Sequence, residues 1–360
     1  MALLAGLCGG STRAQTGTDT VTILPDDAPT DTSYVRLFPE TFTTRIYLGE
    51  KVSIFTLHNG GTDRQIEYRP NAILALGVGV TLRGIGLNYS TKLPFHDRKE
   101  DQFGQTQRKD LQIHRYRRKL AVDAYFQQYR GFHLNDSTDV FRVQSETTYP
   151  YFPNLTQLRF GTTILRMPGG NNYSMRAALN QQEWQRRSAG SLLYGVSLYT
   201  QFIHNEGADI LPPFYRYADD YYDASVAGNR LIEIQNYSIS GNFGGGYNYV
   251  FPNQDNWFVG ASGDVGIGPA YSRIKTQPAL PGEEEWIGAM RLNLTANLRI
   301  QVGYNSEKWF AGVYTVFHAD RYGLPGIKTD VSTAQGIARA VVARRFKSVK
   351  LGRKKPKPVE

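Results

Sequence analysis

Residues 289–302 read AMRLNLTANLRIQV, an almost unbroken alternation of apolar and polar side chains. Successive side chains of a β-strand point to opposite faces, so this pattern collects the apolar residues on one face. That face consists of Met290, Leu292, Leu294, Ala296, Leu298, Ile300 and Val302. The stretch is far longer than the roughly six residues of an ordinary strand, and it suits a strand that crosses a bilayer at a tilt. It predicts a membrane-spanning strand with one side facing lipid.

The same period of two recurs along the chain, with tight turns and long connections alternating between the segments. This predicts an all-β fold, a transmembrane antiparallel β-barrel of about 12 strands, within a range of roughly 10 to 14. A soluble sandwich is disfavoured, because its connections should be short at both ends of the sheets. One long segment, 131–155, falls on the tight-turn side and does not fit the alternation. The predicted strands are 43–57, 72–81, 84–91, 118–129, 156–166, 172–184, 190–203, 234–250, 257–273, 287–304, 308–319 and 335–346.

Composition is compatible with this barrel and excludes other classes of protein. The chain has 360 residues, 12% of them aromatic, and a mean hydropathy of −0.42. No run approaches the roughly 18 apolar residues of a membrane helix, whereas alternating strands keep the mean hydropathy of a barrel low. The net charge of +9 is concentrated in the basic stretch 344–357. Such a block is typical of a solvated tail, so the charge does not indicate nucleic-acid binding.

The chain divides into four predicted regions. Residues 1–15 resemble a secretory signal peptide whose true start lies further upstream, with a buried N-terminal strand as the alternative. Residues 16–41 are predicted to be a flexible acidic periplasmic leader, 42–346 the outer-membrane barrel, and 347–360 a basic periplasmic tail. The only cysteine, Cys8, lies in the signal segment. The mature chain is therefore expected to have no disulfide, thiolate metal site or cysteine nucleophile.

Five short stretches resemble a known family. They are Tyr68–Asn71, 76–79, Tyr129–Phe132, 173–191 and Gly244–Tyr247. With them the chain resembles domain-of-unknown-function family 4421 (DUF4421) over roughly residues 32–346. The resemblance implies an uncharacterised outer-membrane β-barrel of the Bacteroidota. It implies no substrate and no catalytic residue.

The predicted lumen carries more basic than acidic side chains, which leaves two functions open. If the lumen is open, the excess charge would favour anions and predicts a small-solute pore. If the charges are paired with each other and with tyrosines, they fill the interior, and a structural or adaptor role follows. We favour the filled lumen. The lumen-facing candidates are Asp123, Arg159, Arg176, Asp264, Arg291, Arg299 and Arg339.

The connection 205–231 is the most distinctive predicted extracellular loop, because it combines carboxylates with tyrosines and prolines. Carboxylate clusters can bind calcium, and tyrosines with carboxylates suit sugars or peptides. The spacing matches no defined calcium loop, so we favour a loop that folds back to plug or rim the barrel mouth. The candidate residues are Asp209, Tyr217, Asp219, Asp220, Tyr221 and Asp223.

No residue is predicted to be catalytic, and no metal or cofactor is expected. An outer-membrane lipase is the sharpest enzymatic alternative, because a barrel of this size can carry a Ser–His pair near its extracellular rim. Only His204 and His318 fall at outer strand ends in the predicted topology, and neither has a serine beside it in sequence. A serine on a neighbouring strand remains an alternative partner for either histidine.

The predicted location is the cell outer membrane. The expected partners are outer-membrane lipids and the barrel-assembly machinery, because the last predicted strand, 335–346, ends in an aromatic residue that resembles an assembly signal. An unknown partner at the extracellular loops or the periplasmic tail is a further candidate, and no nucleic acid is expected.

Overall fold

The computed structural model describes residues 31–38, 41–59, 65–71, 73–82, 85–93, 100–135, 150–179, 181–212, 229–277 and 283–347. The strands are β1 (Val35–Leu37), β2 (Thr41–Asn59), β3 (Gln65–Arg69), β4 (Ile73–Leu82), β5 (Ile85–Lys92), β6 (Gln107–Tyr116), β7 (Leu120–Asn135), β8 (Tyr151–Arg166), β9 (Glu183–Gln185), β10 (Ala189–His204), β11 (Arg230–Phe251), β12 (Gln254–Gln277), β13 (Glu285–Asn305), β14 (Trp309–Gly323) and β15 (Thr329–Lys347). Two helices of a single turn, α1 (Glu100–Phe103) and α2 (Arg176–Leu179), and a 3₁₀ turn (Pro168–Asn171) complete the described elements.

Ten strands form a closed antiparallel circuit. Its order is β2, β15, β14, β13, β12, β11, β10, β8, β7 and β3, and β3 pairs back to β2. The predicted all-β antiparallel barrel is therefore confirmed, at the lower end of the predicted range of strand numbers. One end of the barrel carries tight turns such as 305–309, and we call it the short-turn end. The other carries connections such as 204–230 and is called the long-loop end.

The alternation of β13 has the predicted consequence in three dimensions. Its outward side chains are exposed, with Leu294 at 47%, while the inward Asn293 and Arg299 are buried. Neighbouring strands repeat this arrangement, so an apolar belt surrounds the barrel. Exposed members of this belt include Ile46, Val78, Leu198, Ile239, Ile267, Val313 and Val342. None of the helices that the structure describes is long and apolar enough to span a membrane.

The wall between β2 and β7 is split into two levels. At the long-loop end, residues 55–58 of β2 and 133–135 of β7 both pair with β3. Towards the short-turn end, residues 42–51 of β2 pair with β4, and 121–130 of β7 pair with β6. Pro70 follows β3 directly, and a proline cannot donate the hydrogen bond that would continue the ladder. The insertion of β4, β5 and β6 widens this side, and no ladder joins β5 to β6 among the described residues.

Three strand predictions were wrong. Residues 107–116 form β6, although they were assigned to a long connection, and residues 65–69 form β3, which was not predicted. Residues 172–184 form no barrel strand. Because β6 was missed, the predicted strand 118–129 was expected to run towards the short-turn end, whereas β7 runs towards the long-loop end. With β6 included, the connection between β7 and β8, inside 131–155, lies at the long-loop end like the other long connections. The apparent exception in the alternation of loops is thereby removed.

The predicted regions outside the barrel are described only in part. Residues 31–38, inside the predicted flexible leader 16–41, form a turn and strand β1, which pairs with β9. This end of the leader is therefore ordered, because β1 completes a small second sheet. The predicted signal peptide and the tail from residue 348 onward lie outside the described residues.

Candidate functional site

The described residues between β8 and β10, 167–179 and 181–188, form a plug at the short-turn end of the lumen. The plug contains the 3₁₀ turn, α2 and β9. Inward-facing amides of the wall hold its backbone. Asn305 donates from Nδ2 to the carbonyl of Glu183 at 2.9 Å, and Asn248 donates to the carbonyl of Ser174 at 2.9 Å. The plug is thus anchored to β11 and β13, which lie two and four strands along the circuit from β8.

The carboxylate of Glu183 is the electrostatic centre of the plug. It is 2% exposed and forms ion pairs with Arg118, itself buried, and with Arg176, whose Nη1 lies 3.1 Å away. The hydroxyl of Ser174 donates to the other carboxylate oxygen and accepts the backbone N–H of Ala177 at 3.1 Å. A buried carboxylate is tolerated only when it is paired and hydrogen-bonded in this way. The cluster therefore fixes the conformation of the segment that closes this end.

Apolar side chains of the plug pack against the wall. Tyr173, Met175 and Leu179 belong to the same buried cluster as wall residues including Phe258. Gly246 on β11 makes room for this contact, since a Cβ atom there would lie 2.5 Å from the hydroxyl oxygen of Tyr173. The glycine is therefore needed for the close approach of plug and wall.

The long-loop end is closed by side chains of the wall itself, which we call the apolar cap. Phe55 stacks on Tyr68 with ring centroids 4.6 Å apart and meets Phe132 edge-on at 5.4 Å. Gly131 adopts φ +90° at a bulge in the ladder between β7 and β8. A bulge shifts the facing of the residues that follow, and here it turns Phe132 and Leu134 into the lumen.

The apolar cap draws residues from most strands of the circuit and from two connections. All of its members are buried, and the hydroxyl of Tyr68 donates to the backbone carbonyl of Ile210. The cap consists of Phe55, Leu57, Ile66, Tyr68, Tyr129, Phe132, Leu134, Leu155, Ile203, Ile210, Leu211, Leu231, Ile234, Ile274, Tyr322, Leu324, Ile327 and Val331.

A polar chamber of about 120 Å³ lies between the plug and the apolar cap. Several of its charged side chains pair with each other or with amides. Arg299 donates from Nη2 to Asp123 at 2.8 Å, and Asp264 accepts hydrogen bonds from Asn242 at 2.8 Å and Asn297 at 2.7 Å. Such pairing lets ionised side chains remain inside the barrel.

Two other arginines of the interior use different partners. Arg159 forms a buried ion pair with Asp320. Arg339 donates to the hydroxyl of Tyr314 at 2.9 Å, and its guanidinium lies 4.9 Å from the ring centroid of Tyr47. Guanidinium groups are stabilised by such contacts with aromatic rings when they are removed from water.

The structure brings most of the predicted lumen residues together. Asp123, Arg159, Asp264, Arg299 and Arg339 all lie in the interior. Arg176 lies there too, but on the plug and not on a wall strand. Arg291 has the inward register of β13, yet it is exposed at the long-loop rim. His318, expected at an outer strand end, is instead inside, where its Nδ1 lies 2.8 Å from Asn297 Oδ1.

Of the predicted loop residues, only Asp209 belongs to the described part of the chain. Its Oδ1 accepts the backbone N–H groups of Leu211 at 3.1 Å and Leu231 at 3.0 Å. Asp209 therefore holds the two ends of this loop together in the manner of a turn residue. Tyr217, Asp219, Asp220, Tyr221 and Asp223 lie outside the described residues.

A family model described as domain of unknown function (DUF4421) matches residues 29–344. The chain belongs to the DUF4421 family. Among proteins with curated descriptions, none matches it. The chain is similar to the solved structure of the outer membrane protease OmpT from Escherichia coli, at 8% identity and a TM-score of 0.39, covering 86% of this chain and 98% of that one. It is also similar to the Pseudomonas putida toluene transporter TodX, at 9% identity and a TM-score of 0.28, covering 87% and 90% of the two chains.

The stretches that carry the family resemblance lie at positions that shape this DUF4421 barrel. Tyr68 is a member of the apolar cap, and Pro70 ends β3 where the wall divides. Gly131 forms the bulge that aims Phe132 inward, and Gly246 accommodates the plug. The stretches that resemble the family therefore contain residues that close the lumen.

Sequence reasoning missed the anchors of the plug. Arg118, Glu183 and Asn305 were not singled out, because their partners lie on segments far away along the chain. The available signal was the charged and amide-rich composition of residues 174–187, which is unusual for a stretch assigned to a wall strand and a turn. A polar segment of this kind needs buried partners, which only the interior of a barrel supplies.

Proposed function

We propose that this protein is an outer-membrane β-barrel with a filled lumen and a structural or adaptor role. The observation that carries the proposal is the double closure of the lumen, by the plug at one end and the apolar cap at the other. The continuous apolar belt supports a position in a lipid bilayer, because it would otherwise remain exposed to water.

The orientation follows from the connections. Membrane barrels of this type carry short turns on the periplasmic side and longer loops outside. The plug, β1 and the end of β15 at Lys347 are then periplasmic, and the apolar cap faces the cell exterior. An adaptor role would use these surfaces outside the membrane, where a partner can bind without displacing lipid.

The charge pairing in the lumen argues against an anion-preferring pore. The guanidinium groups of Arg159, Arg176 and Arg299 each face a carboxylate. Arg45 is held by the amide of Gln181, and Arg339 by the hydroxyl of Tyr314. A permeating anion would have to replace these contacts inside the barrel. The pairs therefore support the filled lumen over the pore.

Fractionation and a matched pair of substitutions test the membrane location. Leu294→Arg places a charge on the belt and should lower the free energy of unfolding by roughly 2–4 kcal/mol. Leu37→Arg is the control, since Leu37 is similarly exposed on β1, outside the barrel wall. Heat-modifiable migration in detergent gels and recovery in the outer-membrane fraction are the measurements. Equal effects of the two substitutions, or a product that folds without detergent, would contradict the proposal.

The closure is tested by solute uptake. Vesicles that contain the refolded protein should swell in a small sugar no faster than vesicles without protein. Swelling rates comparable to those given by a general porin would contradict the filled lumen and favour the pore.

A further inference from the structure

His58 and Ser332 form a hydrogen-bonded pair on the outer surface of the barrel near the long-loop end. His58 Nε2 lies 2.6 Å from Ser332 Oγ, although the residues are 274 positions apart in sequence. They belong to the paired strands β2 and β15, where Ser332 is opposite Thr56. Phe55 and Leu57 point inward into the apolar cap, so His58 points outward, and Ser332 does so by the same alternation.

The pair borders the upper edge of the apolar belt. Directly below the pair on the same outer face lie Ile54 of β2, Ala334 of β15 and Ala319 of β14, and Phe317 of β14 is the next outward residue below these. At the level of the pair itself, Arg321 of β14 is opposite Ser332, and Asp330 of β15 is opposite His58; both face outward. Outward side chains thus change from apolar to polar at this level. In a bilayer, this boundary is where the ester groups of phospholipids lie.

The surroundings of His58 suit a general base. Asp330 is opposite His58 in the ladder, and Arg321, opposite Ser332, donates from Nη2 to Asp330 at 2.9 Å. Because Nε2 is the His58 atom that lies next to the hydroxyl of Ser332, a neutral imidazole can accept the proton of that hydroxyl.

We propose that Ser332 and His58 are the nucleophile and general base of an ester hydrolase that acts on phospholipids of the outer leaflet. Ser332 Oγ forms a bond to the acyl carbonyl carbon as its proton passes to His58 Nε2. The ester C–O bond breaks, and the leaving alcohol of the lysophospholipid takes the proton from His58. Water then attacks the acyl-serine, His58 takes a proton from it, and Ser332 recovers that proton as the fatty acid leaves.

Arg321 gives this site a preference for phospholipid. It is exposed beside Ser332, and while its Nε and Nη2 donate to Asp330, its Nη1 can donate a charge-assisted hydrogen bond to a phosphate oxygen. A phosphate group held there would bring the neighbouring ester groups to the level of Ser332. This inference rests on the proposed outer-membrane location, because that location supplies the phospholipid and orients it relative to Ser332.

The test combines covalent labelling with lipid hydrolysis by the refolded full chain. A fluorophosphonate probe in detergent should label wild-type protein at Ser332, and mixed micelles of phosphatidylethanolamine should release fatty acid. Ser332→Ala should abolish both signals. His58→Gln should lower the rate of fatty-acid release roughly 100-fold or more, because proton transfer is lost. Ser306→Ala, at the short-turn end, is the matched control and should behave as wild type.

The outcomes separate this inference from the proposed function. Heat-modifiable migration of each variant reports whether the barrel is folded, and outer-membrane fractionation tests the location independently of hydrolysis. A folded wild-type barrel that takes no label at Ser332 would overturn the inference and leave a cross-strand hydrogen bond of structural value only. Hydrolysis that persists in Ser332→Ala would overturn it equally.

Discussion

The two ends of the lumen are closed by different means. At the long-loop end, the strands that form the wall also supply the closing side chains, and these are almost wholly apolar. At the short-turn end, a separate segment enters the lumen and is fixed by buried ion pairs and amide hydrogen bonds around Glu183. The apolar cap depends on packing and has no single essential contact, whereas the plug depends on a few polar contacts of high energy.

This difference predicts different responses to substitution. A packed apolar cluster loses stability in proportion to the volume removed, while a buried polar network fails when one partner is lost and another charge is left unpaired. The largest effects are therefore expected in the plug.

Glu183→Gln should have the largest effect of the single substitutions. It leaves Arg118 and Arg176 without their carboxylate and should lower the free energy of unfolding by roughly 3–5 kcal/mol. The measurement is equilibrium unfolding in guanidinium chloride with detergent micelles. The control is Glu307→Gln, because Glu307 pairs with Arg36 at the same end but is exposed, and it should cost about 1 kcal/mol or less. Similar losses in both variants would remove Glu183 as the anchor of the plug.

Leu57→Ala tests the apolar cap by the same unfolding measurement. Leu57 is fully buried there, so the substitution leaves a cavity and should cost roughly 2–5 kcal/mol. Leu48→Ala is the matched control on the same strand, since Leu48 faces outward and lipid or detergent can fill the vacated space. Equal losses in the free energy of unfolding for Leu57→Ala and Leu48→Ala would contradict the role of the apolar cap in stability.

Much of the wall could be predicted from sequence, because the alternation of residues 289–302 is imposed by lipid on one face and by the polar lumen on the other. β6 was missed for a physical reason: only Leu111 and Ile113 are apolar on its outer face, between Lys109 and Arg115. The plug was misread as a strand because Tyr173, Met175, Ala177 and Leu179 are spaced by two, and all of them are buried against the wall by other local conformations.

The interior could be predicted in part. The inward register of Asp123, Asp264 and Arg299 follows from alternation alone. Their partners do not, since pairing across a lumen depends on which distant strands face each other. The same limit hid His58 and Ser332, which sequence reasoning could not join across the closing seam of the barrel.

Single-channel recording in planar bilayers tests the central claim, the double closure, most directly. Wild-type protein should give no stepwise current. A variant with the plug replaced by a short Gly-Ser turn should also remain silent, because the apolar cap still blocks the lumen. Current is expected when that replacement is combined with Phe55→Ala and Phe132→Ala, which opens both ends. Steady stepwise currents from the wild-type barrel would contradict the account.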